Sequence, residues 1–197
     1  MWISKSDGNL YCRLWDRAGG EHTCSSYPVR SADDQCWHHV ALTYDAELPR
    51  VRLYLDRELI GTVDTQLRTN STQRHTFGIS LPDGAQYFEG QLDEIRLVGR
   101  TLEPEEFLTL GRGIEGARLW IPLDGETLAE PYGLFASANV FCPDSSIPSP
   151  VDASWPVLRW SSEGRRVQNP AALAFRGGLL SYPGIDALTG TVFTVEC

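Results

Sequence analysis

Short apolar runs separated by turn residues constrain the fold of this 197-residue chain more than any other feature. In the clearest run, Cys36–Tyr44, the side chains of Val40, Leu42 and Tyr44 fall on one face because side chains alternate along a strand. The 18 glycines and 12 prolines favour many turns over long helices. We therefore predict an all-β sandwich or jelly roll of about a dozen short strands.

Other segments repeat this pattern of strand and turn. Leu10–Trp15 and Glu21–Tyr27 are predicted to flank one hairpin, and a second, tight hairpin is predicted around Asp56 and Arg57. Such a two-residue turn favours positive φ angles, which Arg57 adopts less readily than glycine. Tyr87–Val98 is predicted to be one long strand. Further strands are predicted at His75–Ser80, Ala117–Asp124, Ala172–Arg176, Gly178–Pro183 and Thr189–Glu196.

One short helix is predicted near 104–110. Pro104 suits the first turn of a helix, and Glu105 and Glu106 suit the positive end of its dipole. Gly111 is a natural stop for such a helix.

Three groups of residues resemble the laminin G-like and pentraxin-like domains of the concanavalin A-like lectin/glucanase superfamily. Trp37–Asp45 with Val51–Gly61 is similar to a W-H-x-V-A strand and the hairpin that follows it in that family. Phe88–Glu106 resembles the family's closing strand and short acidic helix. A third, weaker group resembles its opening strands: Leu119–Gly125, Ala172–Gly177 and Val192–Glu196. The resemblance implies a concanavalin A-like jelly-roll β-sandwich.

The order of these groups is the reverse of the family's order. Residues 1–112 resemble the C-terminal half of a laminin G-like sandwich and residues 118–197 the N-terminal half, with 113–117 as a linker. Because the resemblance places the family's two termini side by side, a short link there costs little loop-closure entropy. We therefore expect either a circularly permuted domain or a window cut from a tandem array, with neighbouring domains of the same polypeptide as partners.

Net charge and hydropathy argue against two classes of partner, nucleic acid and membrane. The net charge of −9 argues against nucleic acid, whose phosphates favour a basic face. Membrane insertion is not expected, since no stretch approaches the roughly 20 apolar residues of a spanning helix. We expect an extracellular or cell-surface location, with any export signal outside these residues.

The five cysteines lack the spacing of a structural zinc site. Cys12 and Cys24 lie on the two strands of the first predicted hairpin. They are therefore either partners in a disulfide or free buried thiols that act as small apolar residues.

The resemblance implies calcium as the candidate cofactor. It suggests that Asp93 on the closing strand and Asp124 on the opening strand come close, and calcium takes six to eight oxygen ligands. Glu94 would point to the opposite face of a strand from Asp93. The alternative is that both aspartates cap turns or pair with arginines.

Tryptophans provide the candidate ligand-binding residues. Trp15 lies beside a hairpin turn, and Trp155 and Trp160 lie in a long irregular segment, where binding sites are common. Their aromatic faces could stack on sugar rings. Trp37 and Trp120 are expected in strands, as part of the core.

The resulting hypothesis is a non-catalytic extracellular binding or adhesion module for a glycan or protein, assisted by calcium. The alternatives are a structural spacer in a large surface protein and an accessory carbohydrate-binding module attached to a hydrolase. Catalysis by the chain itself is not expected, because Leu92–Ile95 lacks the spacing that sets two carboxylates on one strand face, as glucan hydrolysis requires.

Overall fold

A computed structural model describes residues 2–3, 8–25, 36–67, 75–77, 79–80, 86–107, 117–121, 152–153, 158–161, 172–176, 180–182 and 192–197. These residues form seventeen strands and no helix, so the prediction of an all-β sandwich is confirmed. No helix within these ranges is long and apolar enough to cross a membrane. The strands are β1 Trp2–Ile3, β2 Leu10–Trp15, β3 Glu21–Ser25, β4 Val40–Asp45, β5 Arg50–Leu55, β6 Glu58–Asp64, β7 His75–Phe77, β8 Ile79–Ser80, β9 Gln86–Tyr87, β10 Glu89–Leu92, β11 Ile95–Val98, β12 Ala117–Ile121, β13 Asp152–Ala153, β14 Leu158–Ser161, β15 Ala172–Arg176, β16 Leu180–Tyr182 and β17 Val192–Glu196.

The chain divides into two compact units. Unit 1 contains Met1–Asn70, Leu97–Gly116 and Ala187–Cys197. Unit 2 contains Ser71–Arg96 and Ala117–Asp186.

Unit 1 has two packed layers. The first is the antiparallel sheet β1–β2–β3, and in the second β17, β4, β5 and β6 lie side by side. Alternate residues of β2, β4 and β5 point between the layers, as predicted for Val40, Leu42 and Tyr44. Burying this shared face stabilises both layers. The buried side chains are Leu10, Cys12, Leu14, Cys24, Leu42, Tyr44, Val51, Leu53, Leu55, Ile60 and Leu67.

The opposite face of β4 and β5 is also buried. Ala41 and Tyr54 pack there against Leu102 and Phe107, and the rings of Tyr54 and Phe107 meet edge to face at 5.1 Å. Because part of this second face is covered, Ala41 and Tyr54 are buried there as well, between the inward residues of β4 and β5.

The short helix predicted near 104–110 is replaced, over its described part, by a turn at residues 104–107. The Glu106 N–H donates to the Glu103 carbonyl oxygen at 2.9 Å. The Glu103 N–H donates in turn to the Glu106 carboxylate at 3.0 Å, so the side chain closes the turn. A segment this short gains too few backbone hydrogen bonds to offset helix nucleation. Residues 108–110 lie outside the described ranges.

The tight hairpin predicted at Asp56 and Arg57 is confirmed, with φ angles of 51° and 71°. Such angles cost energy for residues other than glycine. Two contacts compensate: Arg57 donates from Nη2 to the Phe107 carbonyl oxygen at 2.9 Å, and Asp56 Oδ1 accepts from the His39 N–H at 2.9 Å. Asp56 Oδ2 also lies 2.8 Å from His38 Nδ1.

The strand predicted for Cys36–Tyr44 begins later than expected, at Val40. The Asp56 contacts hold the two histidines before that point outside the strand. Trp37 lies in this segment and is 37% exposed, so its expected place in the core was wrong. Trp120 lies within β12, as predicted for the backbone.

Strand β17 is bound to β4 by a continuous antiparallel register from Val192↔Asp45 to Glu196↔Ala41. Beyond it, the N–H groups of Val40 and Cys197 each donate to the other's carbonyl oxygen, at 2.9 and 3.0 Å. The buried Thr194 hydroxyl donates to the Arg100 carbonyl oxygen at 2.8 Å. These bonds attach β17 to both β4 and the segment after β11.

Unit 2 contains short antiparallel sheets in the orders β10–β15–β14, β13–β16–β7 and β8–β9. The long strand predicted at Tyr87–Val98 is divided into the end of β9, β10 and β11. Asp93 and Glu94 interrupt it, and Glu94 has a positive φ of 54°. Such an angle is incompatible with an extended strand, so the alternation used to orient Glu94 does not apply there.

Candidate functional site

The outer side of the first hairpin carries an unusual set of exposed side chains. The alternation of β2 turns Leu10, Cys12 and Leu14 inward and leaves the residues between them outward. Direct cross-strand partners share a face, so β3 completes the surface. We call this surface the hairpin face, and its residues are Tyr11, Arg13, Trp15, Glu21, Thr23 and Ser25.

Trp15 is the most prominent aromatic residue of the hairpin face. It is 46% exposed, although large apolar side chains are usually buried. Tyr11 is partly exposed on the same side. The two aromatic residues are four positions apart on an extended strand and so lie about 13 Å from each other along it.

Arg13 lies between the two aromatic residues. Its Nε is 3.2 Å from Glu21 Oε1, and the two side chains are 39% and 49% exposed. The pair is nearly neutral as a whole, and a surface pair of this kind contributes little to stability. The pair places a partly exposed guanidinium and a partly exposed carboxylate beside an aromatic ring.

The tip of the hairpin fixes the end of β2 that carries Trp15. Asp16 Oδ1 accepts from the Gly20 N–H at 2.7 Å, and Gly19 takes a positive φ of 89°. Asp16 Oδ2 lies 2.9 Å from His22 Nε2. The hydrogen bond from His22, followed by that from Gly20, lowers the pKa of the Asp16 carboxyl below its usual value. The carboxylate therefore stays ionised and holds the turn closed.

Sequence reasoning named Trp15 as a candidate but not its neighbours Tyr11 and Arg13, and the binding role of Trp15 stays a prediction. The signal was present in the alternation of Leu10–Trp15, which separates three inward from three outward residues. The outward set carries two aromatic residues and one arginine, residue types enriched at the hot spots of protein–protein interfaces.

The remaining candidate ligand residues lie in unit 2. The expected irregular backbone at Trp160 was wrong: the residue lies within β14, and its Cα is the partner of Leu173 in β15. Trp155 lies outside the described residues. Their binding roles stay predictions.

The candidate calcium residues give limited support for a metal site. Asp93 is 4% exposed, and neighbouring Glu94 is equally buried. Asp124 lies outside the described residues. Within the described ranges, no group of three or more His, Cys, Asp or Glu side chains could hold a metal ion. Calcium at Asp93 and Asp124 stays a prediction.

Comparison with known proteins agrees with the fold. A laminin G-like family model, described as the concanavalin A-like lectin/glucanases superfamily, matches residues 1–107. That range contains the hairpin face and the two segments of strongest resemblance, Trp37–Gly61 and Phe88–Glu106. Comparison with curated proteins and with solved structures found no match. With more than half of its residues matched, the chain belongs to the laminin G-like branch of the concanavalin A-like lectin/glucanase superfamily.

Proposed function

We propose that this chain is a non-catalytic extracellular module that binds carbohydrate through the hairpin face. Domains of this superfamily branch are generally binding modules and typically extracellular. The observation that carries the proposal is the stripe of Tyr11, Arg13 and Trp15 on the outer side of β2. An extracellular protein is the alternative ligand.

The chemistry of the stripe favours a glycan. A pyranose ring presents an apolar face of C–H groups and an edge of hydroxyl groups. The ring of Trp15 can stack on the apolar face of the sugar. Arg13 and Glu21 provide hydrogen-bonding groups for its hydroxyl edge. Because the Arg13–Glu21 pair is nearly neutral, we propose a neutral sugar.

The direct test is a glycan array followed by calorimetry with the strongest neutral oligosaccharide. Trp15→Ala should weaken binding at least about tenfold, as loss of an aromatic anchor does. Trp37→Ala is the matched control: Trp37 is a 37% exposed tryptophan outside the hairpin face, and its loss should leave affinity unchanged.

Other outcomes select the alternatives. Equal losses in the two tryptophan variants would contradict the hairpin face as the site. Binding to a matrix protein but to no glycan would favour the protein ligand, and no ligand of either class would favour a structural spacer. Release of reducing sugar would contradict a non-catalytic module.

Calcium at Asp93 and Asp124 is a second proposal, and the buried carboxylate of Asp93 is its support. Calcium titration should then raise the melting temperature of the chain, and Asp93→Asn and Asp124→Asn should each abolish the rise. Asp64→Asn is the matched control, since that carboxylate is exposed and paired with Arg50. A melting temperature that does not respond to calcium or to chelator would refute the ion site and leave the hairpin face unaffected.

A further inference from the structure

Two cysteines face each other on the inner side of the first hairpin. Cys12 and Cys24 are direct cross-strand partners, and they are 2% and 4% exposed. Partners in an antiparallel pair have Cα atoms about 4.5–5.5 Å apart. Disulfide-bonded cysteines have Cα atoms about 4.4–6.8 Å apart. Both thiols are free in the structure, and the register of the hairpin places the two residues where a disulfide is sterically allowed.

The surrounding packing leaves space for the sulfur of Cys24. A Cβ atom built on Gly61 would collide with Cys24 Sγ and would lie 3.3 Å from the Ser25 carbonyl oxygen. A glycine in the middle of β6 is unfavourable by itself, and here it admits the thiol. The strand next to the hairpin is thus shaped around this sulfur.

Burial makes both thiols unreactive in the folded chain. It raises the pKa of Cys12, and burial together with the nearby Cys12 raises the pKa of Cys24 to about 11. Disulfide exchange requires a thiolate with access to the attacked sulfur. Cys36, by contrast, is exposed. Any bond between the buried pair must therefore form before the hairpin packs against β5 and β6.

We propose that Cys12 and Cys24 form a structural disulfide during oxidative folding, which locks the register of β2 and β3 beneath the hairpin face. The oxidant is a low-molecular-weight disulfide such as oxidised glutathione. One cysteine thiolate attacks it, forms a mixed disulfide and expels one glutathione thiolate. The second cysteine thiolate then attacks the protein sulfur and expels the other. Two cysteine thiols are oxidised, one glutathione disulfide is reduced, and the two expelled thiolates take up the two protons.

The bond closes a short loop and so restricts the unfolded chain. A loop of about this size contributes a rise in melting temperature of about 5–10 °C in a chain of this length. The inference is independent of the ligand, since it concerns the inner side of the hairpin.

The experiment refolds the full chain from denaturant in a glutathione redox buffer or in a phosphine reductant. Non-reducing peptide mapping of the oxidised sample should recover a fragment pair that joins Cys12 to Cys24. The oxidised chain should have a higher melting temperature than the reduced chain, and Cys12→Ser should remove this difference. Cys36→Ser is the matched control and should keep it.

Mapping of the unsubstituted chain decides the proposal even if Cys12→Ser does not fold. Alkylation of both cysteines after oxidative refolding, or a bond from either to Cys36, Cys142 or Cys197, would overturn it. A separate experiment tests whether the disulfide forms before the hairpin packs. Oxidised glutathione added to the folded, reduced chain should modify Cys36 and leave the buried pair reduced, whereas rapid bonding of that pair would contradict formation before packing.

Discussion

The buried contact between His39 and Glu196 gives the sharpest prediction about stability. His39 Nε2 lies 2.9 Å from Glu196 Oε2, and the two side chains are 3% and 0% exposed. The replacement His39→Leu takes the imidazole donor away from a carboxylate that water does not reach. Removing one partner of a buried pair costs about 3–5 kcal/mol. Leucine would still pack on Phe107, whose ring centroid is 5.2 Å from that of His39, so we expect a loss near 3 kcal/mol.

A short series of variants distinguishes the loss of the His39–Glu196 contact from a general loss of stability. Glu196→Gln keeps an oxygen that accepts from His39 and should cost about 1 kcal/mol. The double variant His39→Leu/Glu196→Leu removes both polar groups and should recover most of the loss. Asp64→Asn, in the exposed pair with Arg50 at 2.6 Å, is the matched surface control and should change the stability far less.

Urea unfolding followed by tryptophan fluorescence measures these changes as shifts in midpoint at constant slope. A loss in His39→Leu as small as that in Asp64→Asn would refute the reasoning. It would mean that Glu196 is hydrated in solution and that β17 does not dock on β4 there. A double variant as unstable as the single one would instead show that the site tolerates no apolar replacement.

Two further predictions concern unit 1. Arg100 donates to Glu106 at 2.7 and 3.0 Å and, with the Glu103 N–H, lowers the pKa of Glu106 from 4.5 to about 2. A depressed carboxyl pKa stabilises the fold above the unfolded pKa and loses that effect as pH falls through the folded one. Urea midpoints should therefore be higher for the unsubstituted chain than for Glu106→Gln above pH 4.5, and should converge towards a pH of about 2; a gap that persists there would contradict the assignment. The second is that Gly61→Ala should lower stability by about 1–3 kcal/mol, because its methyl group would overlap Cys24 Sγ. Most of that loss should vanish in the Cys24→Ala background, and additive losses in a double-mutant cycle would count against the contact.

The first hairpin and the strands β4 to β6 followed from local patterns. Period-2 alternation is sufficient to place β2, β4 and the hairpin of β5 and β6, because each has one face in the same core. The extra covering of β4 and β5 by Leu102 and Phe107 was not predicted, since it depends on a contact between segments far apart in sequence. The same contact explains why residues 104–107 form a turn anchored by Phe107 instead of a free amphipathic helix.

The wrong prediction that Trp37 lies in the core also results from a contact between residues far apart in sequence. Apolar alternation continues through Cys36–Tyr44, but the Asp56 carboxylate binds the His39 N–H, and the strand begins only after that residue. A side chain in a hairpin turn seventeen positions away thus decides where the strand starts. Neither the strand propensity of these residues nor their alternation indicates where the strand begins.

The candidate site was partly predictable for the same reason that the core was. The alternation that buries Leu14 exposes Trp15, whereas the proposed calcium site would depend on residues distant in sequence. The reversed order of the halves remains a prediction.

Alternation also separates binding from stability within the first hairpin. The inward residues Cys12, Leu14 and Cys24 contribute to the core, and a change in them alters packing on both neighbouring layers. The outward residues Arg13 and Trp15 lie outside the core cluster, so a change in them should leave that cluster intact. A surface built in this way can vary in sequence without loss of the fold, as a recognition surface requires. The rigidity that a ligand needs comes from the layer beneath, where the two cysteines oppose each other at a fixed register.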